Sequence, residues 1–280
     1  MTDPLDLPHH ERIEDTVFRR GVDLIDAGNV EALRAYLNAH PGLIEKRVTF
    51  EEGNYFRNPT LLEFIAENPV RRGKLPENIV EIAKVILDAG APVSAVNETL
   101  GLVATGRVAR ECNVQTQLIN LLCDHGADPN GAIEAAALHQ EMESVEALIA
   151  RGARITLPIA AALGQMGQAR QLLPSADGRD RQLALSLAAQ FGRVEMVRLL
   201  LDAGVNPDQF NTAGHSHTTP LHQAALAGHE EVVRLLVERG ARLDLEDKNW
   251  HGTPAGWASH AGRPELAEYL QNQQLARRAR

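Results

Sequence analysis

His222-Gln223-Ala224-Ala225-Leu226-Ala227-Gly228-His229-Glu230-Glu231-Val232-Val233-Arg234-Leu235-Leu236-Val237-Glu238-Arg239-Gly240 matches an earlier stretch without a gap, at an offset of 36 residues. That stretch is Ser186-Leu187-Ala188-Ala189-Gln190-Phe191-Gly192-Arg193-Val194-Glu195-Met196-Val197-Arg198-Leu199-Leu200-Leu201-Asp202-Ala203-Gly204. Their common ending recurs as Ile86-Leu87-Asp88-Ala89-Gly90, Leu121-Leu122-Cys123-Asp124-His125-Gly126 and Leu148-Ile149-Ala150-Arg151-Gly152. The closing glycines, from Gly90 to Gly240, stand 36, 26, 52 and 36 residues apart. Because 52 is twice 26, one repeat near Asp177-Gly178 has lost its marker. It keeps Ala161-Ala162 and Leu172-Leu173 at the eleven-residue offset that separates Ala188 from Leu199. A recurring internal period of this kind signals a stacked-repeat architecture.

Each repeat reads as two short antiparallel helices. Thr219 suits the position before the first helix, where its hydroxyl can accept a backbone N–H, and Pro220 suits the first helical position. Ala224 and Ala225 are small enough to let neighbouring helices approach closely. Gly228 can end the helix in a left-handed conformation. Val232, Val233, Leu235 and Leu236 make one apolar face of the second helix, which Gly240 ends. Neither helix is long enough to be stable alone, so the repeats must stack to bury their faces.

Thr219-Pro220-Leu221-His222, Ala224-Ala225, Gly228-His229, Val232-Val233, Leu235-Leu236 and Gly240-Ala241 together resemble the ankyrin repeat. The resemblance is close over residues 181–270 and looser towards the N-terminus. Thr253-Pro254-Ala255 opens the last repeat, Thr99-Leu100-Gly101-Leu102 and Thr60-Leu61-Leu62 look like degenerate openings, and Ala27 to Leu33 fits a first repeat. The expected fold is all-α: a solenoid of about eight stacked helix-turn-helix repeats with short β-hairpin fingers. It is expected as a single domain over residues 13–272, degenerate in 13–95 and clear in 96–272. An N-terminal tail, 1–12, would precede it and a basic tail, 273–280, would follow. Repeats near Ala136, Ala161 and Ala188 are only 25 and 27 residues apart, so the fingers are expected to be trimmed at about 130–180. An insertion, Asn68 to Asn78, reads as a surface loop.

Composition narrows the function. A formal charge of -9 and a pI near 5.7 disfavour nucleic acid and anionic membrane as partners. Two cysteines, Cys112 and Cys123, supply no disulfide framework or zinc pattern and read as buried packing residues. The first residues lack a signal peptide's pattern and no apolar run is long enough to span a membrane, so a cytoplasmic location is expected. There is no phosphate loop, nucleophile elbow or zinc-binding helix. The expectation is a monomeric, non-enzymatic, cofactor-free protein that binds a protein partner.

The resemblance places the two residues after each Ala-Ala pair in a concave groove. These include His139, Gln190, Phe191, Leu226 and His260, with Phe210 and Trp250 on the adjoining fingers as aromatic anchors. Phe191, Phe210, Leu226 and Trp250 are expected to form the hot spot, whereas Trp257 reads as core. His215, His217 and His251 are added to the binding surface and carry the alternative, a metal- or small-ligand-binding protein, since three imidazoles can hold zinc with an open position. The resemblance implies a structural role for His222, bonded to its own turn, and for His229 beside Gly228. Arg71, Arg72 and Lys74 read as a solvated loop that could grip an acidic partner, and Arg277, Arg278 and Arg280 as a frayed end.

Overall fold

In the computed structural model the described residues are 9–50, 55–211 and 217–278. They divide between two compact units, 1–154 and 155–280. No helix among them is long and apolar enough to cross a membrane.

The N-terminal unit is built from helices α1 (Thr16–Asp26), α2 (Val30–Ala39), α3 (Ile79–Asp88), α4 (Val93–Ala104), α5 (Arg107–Glu111), α6 (Gln115–Asp124), α7 (Asn130–Leu138) and α8 (Met142–Ala150). Side-chain caps start the first two: Asp15 accepts the Phe18 N–H at 2.9 Å and Asn29 that of Ala32 at 3.0 Å. Gly90, Gly126 and Gly152 follow α3, α6 and α8 with φ of 95°, 92° and 96°, a region costly to any residue with a Cβ. The glycine period is therefore a helix-stop period.

The degenerate opening Thr60-Leu61-Leu62-Glu63 leads into a 3₁₀ turn, Leu62–Ala66. Glu63 Oε1 accepts the Thr60 N–H at 2.7 Å and its hydroxyl at 3.2 Å. The side chain is buried, with Arg47 3.7 Å away and Arg47 itself forked onto Glu98 at 2.8 and 3.1 Å. Burial first, then the Glu98 charge, push the Glu63 carboxyl up to about 7 against the pull of the Thr60 N–H and Arg47.

The inserted loop corrects an expectation. Arg71 is not solvated: its side chain is 2% exposed, forks onto Asp26 at 3.1 and 3.0 Å and lies 5.1 Å over the Phe64 ring. Buried Glu67 gathers the loop by accepting the N–H groups of Arg71 and Gly73 at 2.8 and 3.0 Å. Cys112 and Cys123 are half-buried, not core residues, and form no disulfide.

The C-terminal unit holds α9 (Leu157–Leu163), α10 (Met166–Leu172), α11 (Gly178–Gln190), α12 (Val194–Asp202), α13 (Pro220–Ala227), α14 (Glu230–Glu238), α15 (Pro254–His260) and α16 (Pro264–Arg278). α11 packs between α9 and α13, and α13 against α15. Ala160, Ala161 and Ala162 and the pairs Ala188-Ala189 and Ala224-Ala225 are wholly buried there, with the Leu and Val face of the second helices behind them. In the first of these repeats the pair packed in that core is Ala160-Ala161, one position before the pair the spacing marked. In two of these repeats one side chain reaches back to the repeat before it. Arg193 Nε donates to the Ala162 carbonyl at 3.1 Å, and His229 Nε2 donates to that of Gln190 at 3.0 Å. His229 lies so close over Gly192 that a Cβ there would stand 2.7 Å from its Nδ1. His229 is thus structural, as the resemblance implied.

Two features depart from the sequence reading. Among the described residues the finger segments form no strand; they are loops closed by bonds such as Asn211 N–H to Thr218 O, 2.7 Å, and Asp247 N–H to Gly252 O, 3.0 Å. The basic tail is not frayed through Arg278, because α16 continues to that residue. Arg277 donates to the Ala241 carbonyl at 2.7 Å and to that of Val237, capping the C-terminus of α14.

Candidate binding cleft

The last repeat opens with three consecutive departures, two of which line a cleft. Thr219-Pro220-Leu221-His222-Gln223-Ala224 is followed, 34 residues later, by Thr253-Pro254-Ala255-Gly256-Trp257-Ala258. In the earlier repeat His222 is wholly buried, with Nδ1 2.8 Å from the Thr219 hydroxyl and Nε2 donating to the Gly252 carbonyl at 3.0 Å. Burial holds its pKa below the ordinary histidine value. In the last repeat the leucine has shrunk to Ala255 and the histidine to Gly256. A Cβ on Gly256 would meet only the Thr253 Oγ1, at 3.6 Å. Trp257, half-buried at the next position, swings its indole to the finger.

The finger is organised by one carboxylate. Asp247, 1% exposed, accepts the N–H groups of Asn249 (2.9 Å) and Trp250 (2.7 Å) on Oδ1, and those of Gly252 (2.8 Å) and the Trp257 indole (2.9 Å) on Oδ2. Burial pushes its pKa up, but these four donors outweigh burial and hold it at about 2. Asp247 is therefore ionised at neutral pH. The Trp250 ring, 66% exposed, stands edge-on to that of Trp257, with centroids 5.8 Å apart and planes at 61°. Leu226, Trp250, Gly252, Gly256, Trp257 and His260 enclose a cleft of about 480 Å³.

A family model described as ankyrin repeats (three copies) matches residues 157–249 and 185–278. The C-terminal unit is an ankyrin-repeat domain. Comparison with curated proteins found no match.

Of the groove positions that the resemblance marked in this ankyrin domain, Leu226 and His260 line the cleft, together with the finger residue Trp250. Trp257 corrects the reading that made it core: it is a cleft wall, because its N–H is bound to a carboxylate outside the helix. Gln190 is also corrected as an exposed groove residue, since it is buried at the end of α11. Phe191 is half-buried after α11, and the half-buried Phe210 ring has the Lys248 ammonium 5.6 Å from its centre; neither lines the cleft. His139 is exposed after α7, in the other unit. The finger histidines do not assemble as a trio that the structure describes: His215 lies outside the described residues, His217 is half-buried with φ 43°, and exposed His251 has Nδ1 3.9 Å from Glu246. Among the described residues no three His, Cys, Asp or Glu side chains gather in a metal-binding cluster. Sequence reasoning missed Gly256 and Asp247. The missing Leu-His of the last opening was the available signal.

Proposed function

We propose that this is a non-enzymatic binding protein that holds a protein partner through the cleft of its ankyrin-repeat domain. The observation that carries the reading is Trp250: a large aromatic ring, mostly exposed, on a finger made rigid by Asp247 and backed by a concave apolar wall. Anchors of this kind, preordered before contact, dominate binding energies at protein interfaces. Ankyrin repeats are generally protein-interaction modules, which supports the same reading. We further read the helix pairs of both compact units as eight repeats of one plan, the N-terminal ones degenerate, on the strength of the shared glycine stops.

The test is affinity capture from a lysate of the source organism with wild type and with a Trp250→Ala/His260→Ala variant whose circular dichroism is unchanged. A protein retained by wild type and lost by the variant is the expected result. Equal retention by both would remove the cleft from the interface.

A further inference from the structure

We propose that the group the cleft receives is a cation, the guanidinium of an arginine side chain presented by the partner; this rests on the docking reading above. Three independent observations point to it. The first is charge. Asp247 is a buried, ionised carboxylate, and among the described residues it has no ion-pair partner; its four hydrogen bonds all come from neutral N–H groups. A second carboxylate, that of Glu246, is exposed beside it. The cleft is thus apolar at its surface and negative beneath it.

The second is the aromatic lining, two indoles set edge-on to each other. An aromatic face attracts a cation within about 6 Å of its centre. The indole N–H of Trp257 donates to Asp247, which draws positive charge from the ring edge and raises electron density on its face. The third is occupancy elsewhere in this unit: Lys248 stands 5.6 Å from the Phe210 centroid and Arg234 4.4 Å from that of Tyr269. Among the described residues no cation of the chain lies over Trp250 or Trp257. A planar, weakly hydrated guanidinium stacks on an aromatic face better than an ammonium does. Leu226 can take the aliphatic stem, and Gly256, whose absent Cβ would meet only Thr253 Oγ1, leaves room for a peptide backbone.

Trp250 and Trp257 are the chain's only tryptophans, so its indole emission reports the cleft directly. The intact protein would be titrated with end-blocked pentapeptides carrying arginine, lysine, citrulline or norleucine between glycines. The arginine peptide is expected to change the emission saturably and to bind about tenfold tighter than the citrulline peptide, which keeps the shape and loses the charge. High salt should weaken the arginine peptide and leave norleucine unaffected. Glu246→Gln, an exposed change outside the fold's core, should weaken the arginine peptide alone. Citrulline or norleucine binding as tightly as arginine would overturn the cation and leave apolar docking standing. Lysine binding as tightly as arginine would overturn the guanidinium. If no peptide binds, the inference fails, and the Trp250→Ala/His260→Ala capture then decides whether docking fails with it.

Discussion

Gly252 and Gly256 stand four residues apart and obey different constraints. A Cβ on Gly252 would lie 2.8 Å from Trp257 Cδ1 and 3.2 Å from Asp247 Oδ2, so a methyl there must displace the indole or the carboxylate that orders the finger. Gly252→Ala is expected to cost about 1–3 kcal/mol, read as a fall in the urea midpoint, and to shift the tryptophan emission. Gly256 has open space and lies inside α15, where alanine is the better helix former. Gly256→Ala should therefore leave stability unchanged or raise it by up to about 1 kcal/mol. Equal losses from both would mean that the cleft floor is packed and not open.

At the scale of the element, the same turn is closed by different chemistry in the two units. In α13 the third helical residue is His222, whose ring bonds the Thr219 opening on one side and the Gly252 carbonyl on the other. At the degenerate opening Glu63 does the first of these jobs, accepting from Thr60 N–H and Oγ1. The consequences with pH are opposite. His222 has a depressed pKa in the fold, so the unfolded chain takes up its proton first as pH falls below about 6.5, and stability drops with acid. His222→Gln should flatten that acid slope while costing about 2 kcal/mol near neutrality, measured by denaturant midpoints across pH. Glu63 has a raised pKa, so its stabilisation is complete below about 4.5 and is lost as pH rises through about 7. Glu63→Gln keeps an acceptor for Thr60 and removes the ionisation. It should match wild type in acid and gain about 1–3 kcal/mol at about pH 8, where Glu63 otherwise carries a buried charge beside Glu98. Hydrogen exchange at the α3 amides is the local readout.

Across the whole molecule the net charge is unevenly shared. Residues 1–154 hold 24 acidic and 15 basic side chains, whereas residues 155–280 hold 13 of each. The whole formal charge of -9 therefore belongs to the N-terminal unit, and self-repulsion there weakens with screening. Raising ionic strength should slow hydrogen exchange in α1 to α8 and leave α11 to α16 little changed; a uniform response would refute the asymmetry. The repeat, its helix stops and its alanine contacts were legible in the chain because each is a local rule: a glycine at φ near 90°, a small residue where helices touch, an apolar face every third or fourth position. His222 and His229 were legible for the same reason, as motif positions with fixed partners. Arg71 was not, since its ion-pair partner Asp26 lies 45 residues away in sequence. Nor was the cleft. Leu226 and Trp250 were grouped in a hot spot with Phe191 and Phe210, which do not line the cleft, and their meeting with His260 depends on side chains about 30 residues apart and on the small Gly256. The sequence by itself determined the repeats and where they stop, because those obey short-range sterics. Only the tertiary structure decided which residues share a cavity and that Trp257 is a wall and not core, because burial and the course of a hydrogen bond are set by neighbours the local pattern does not contain.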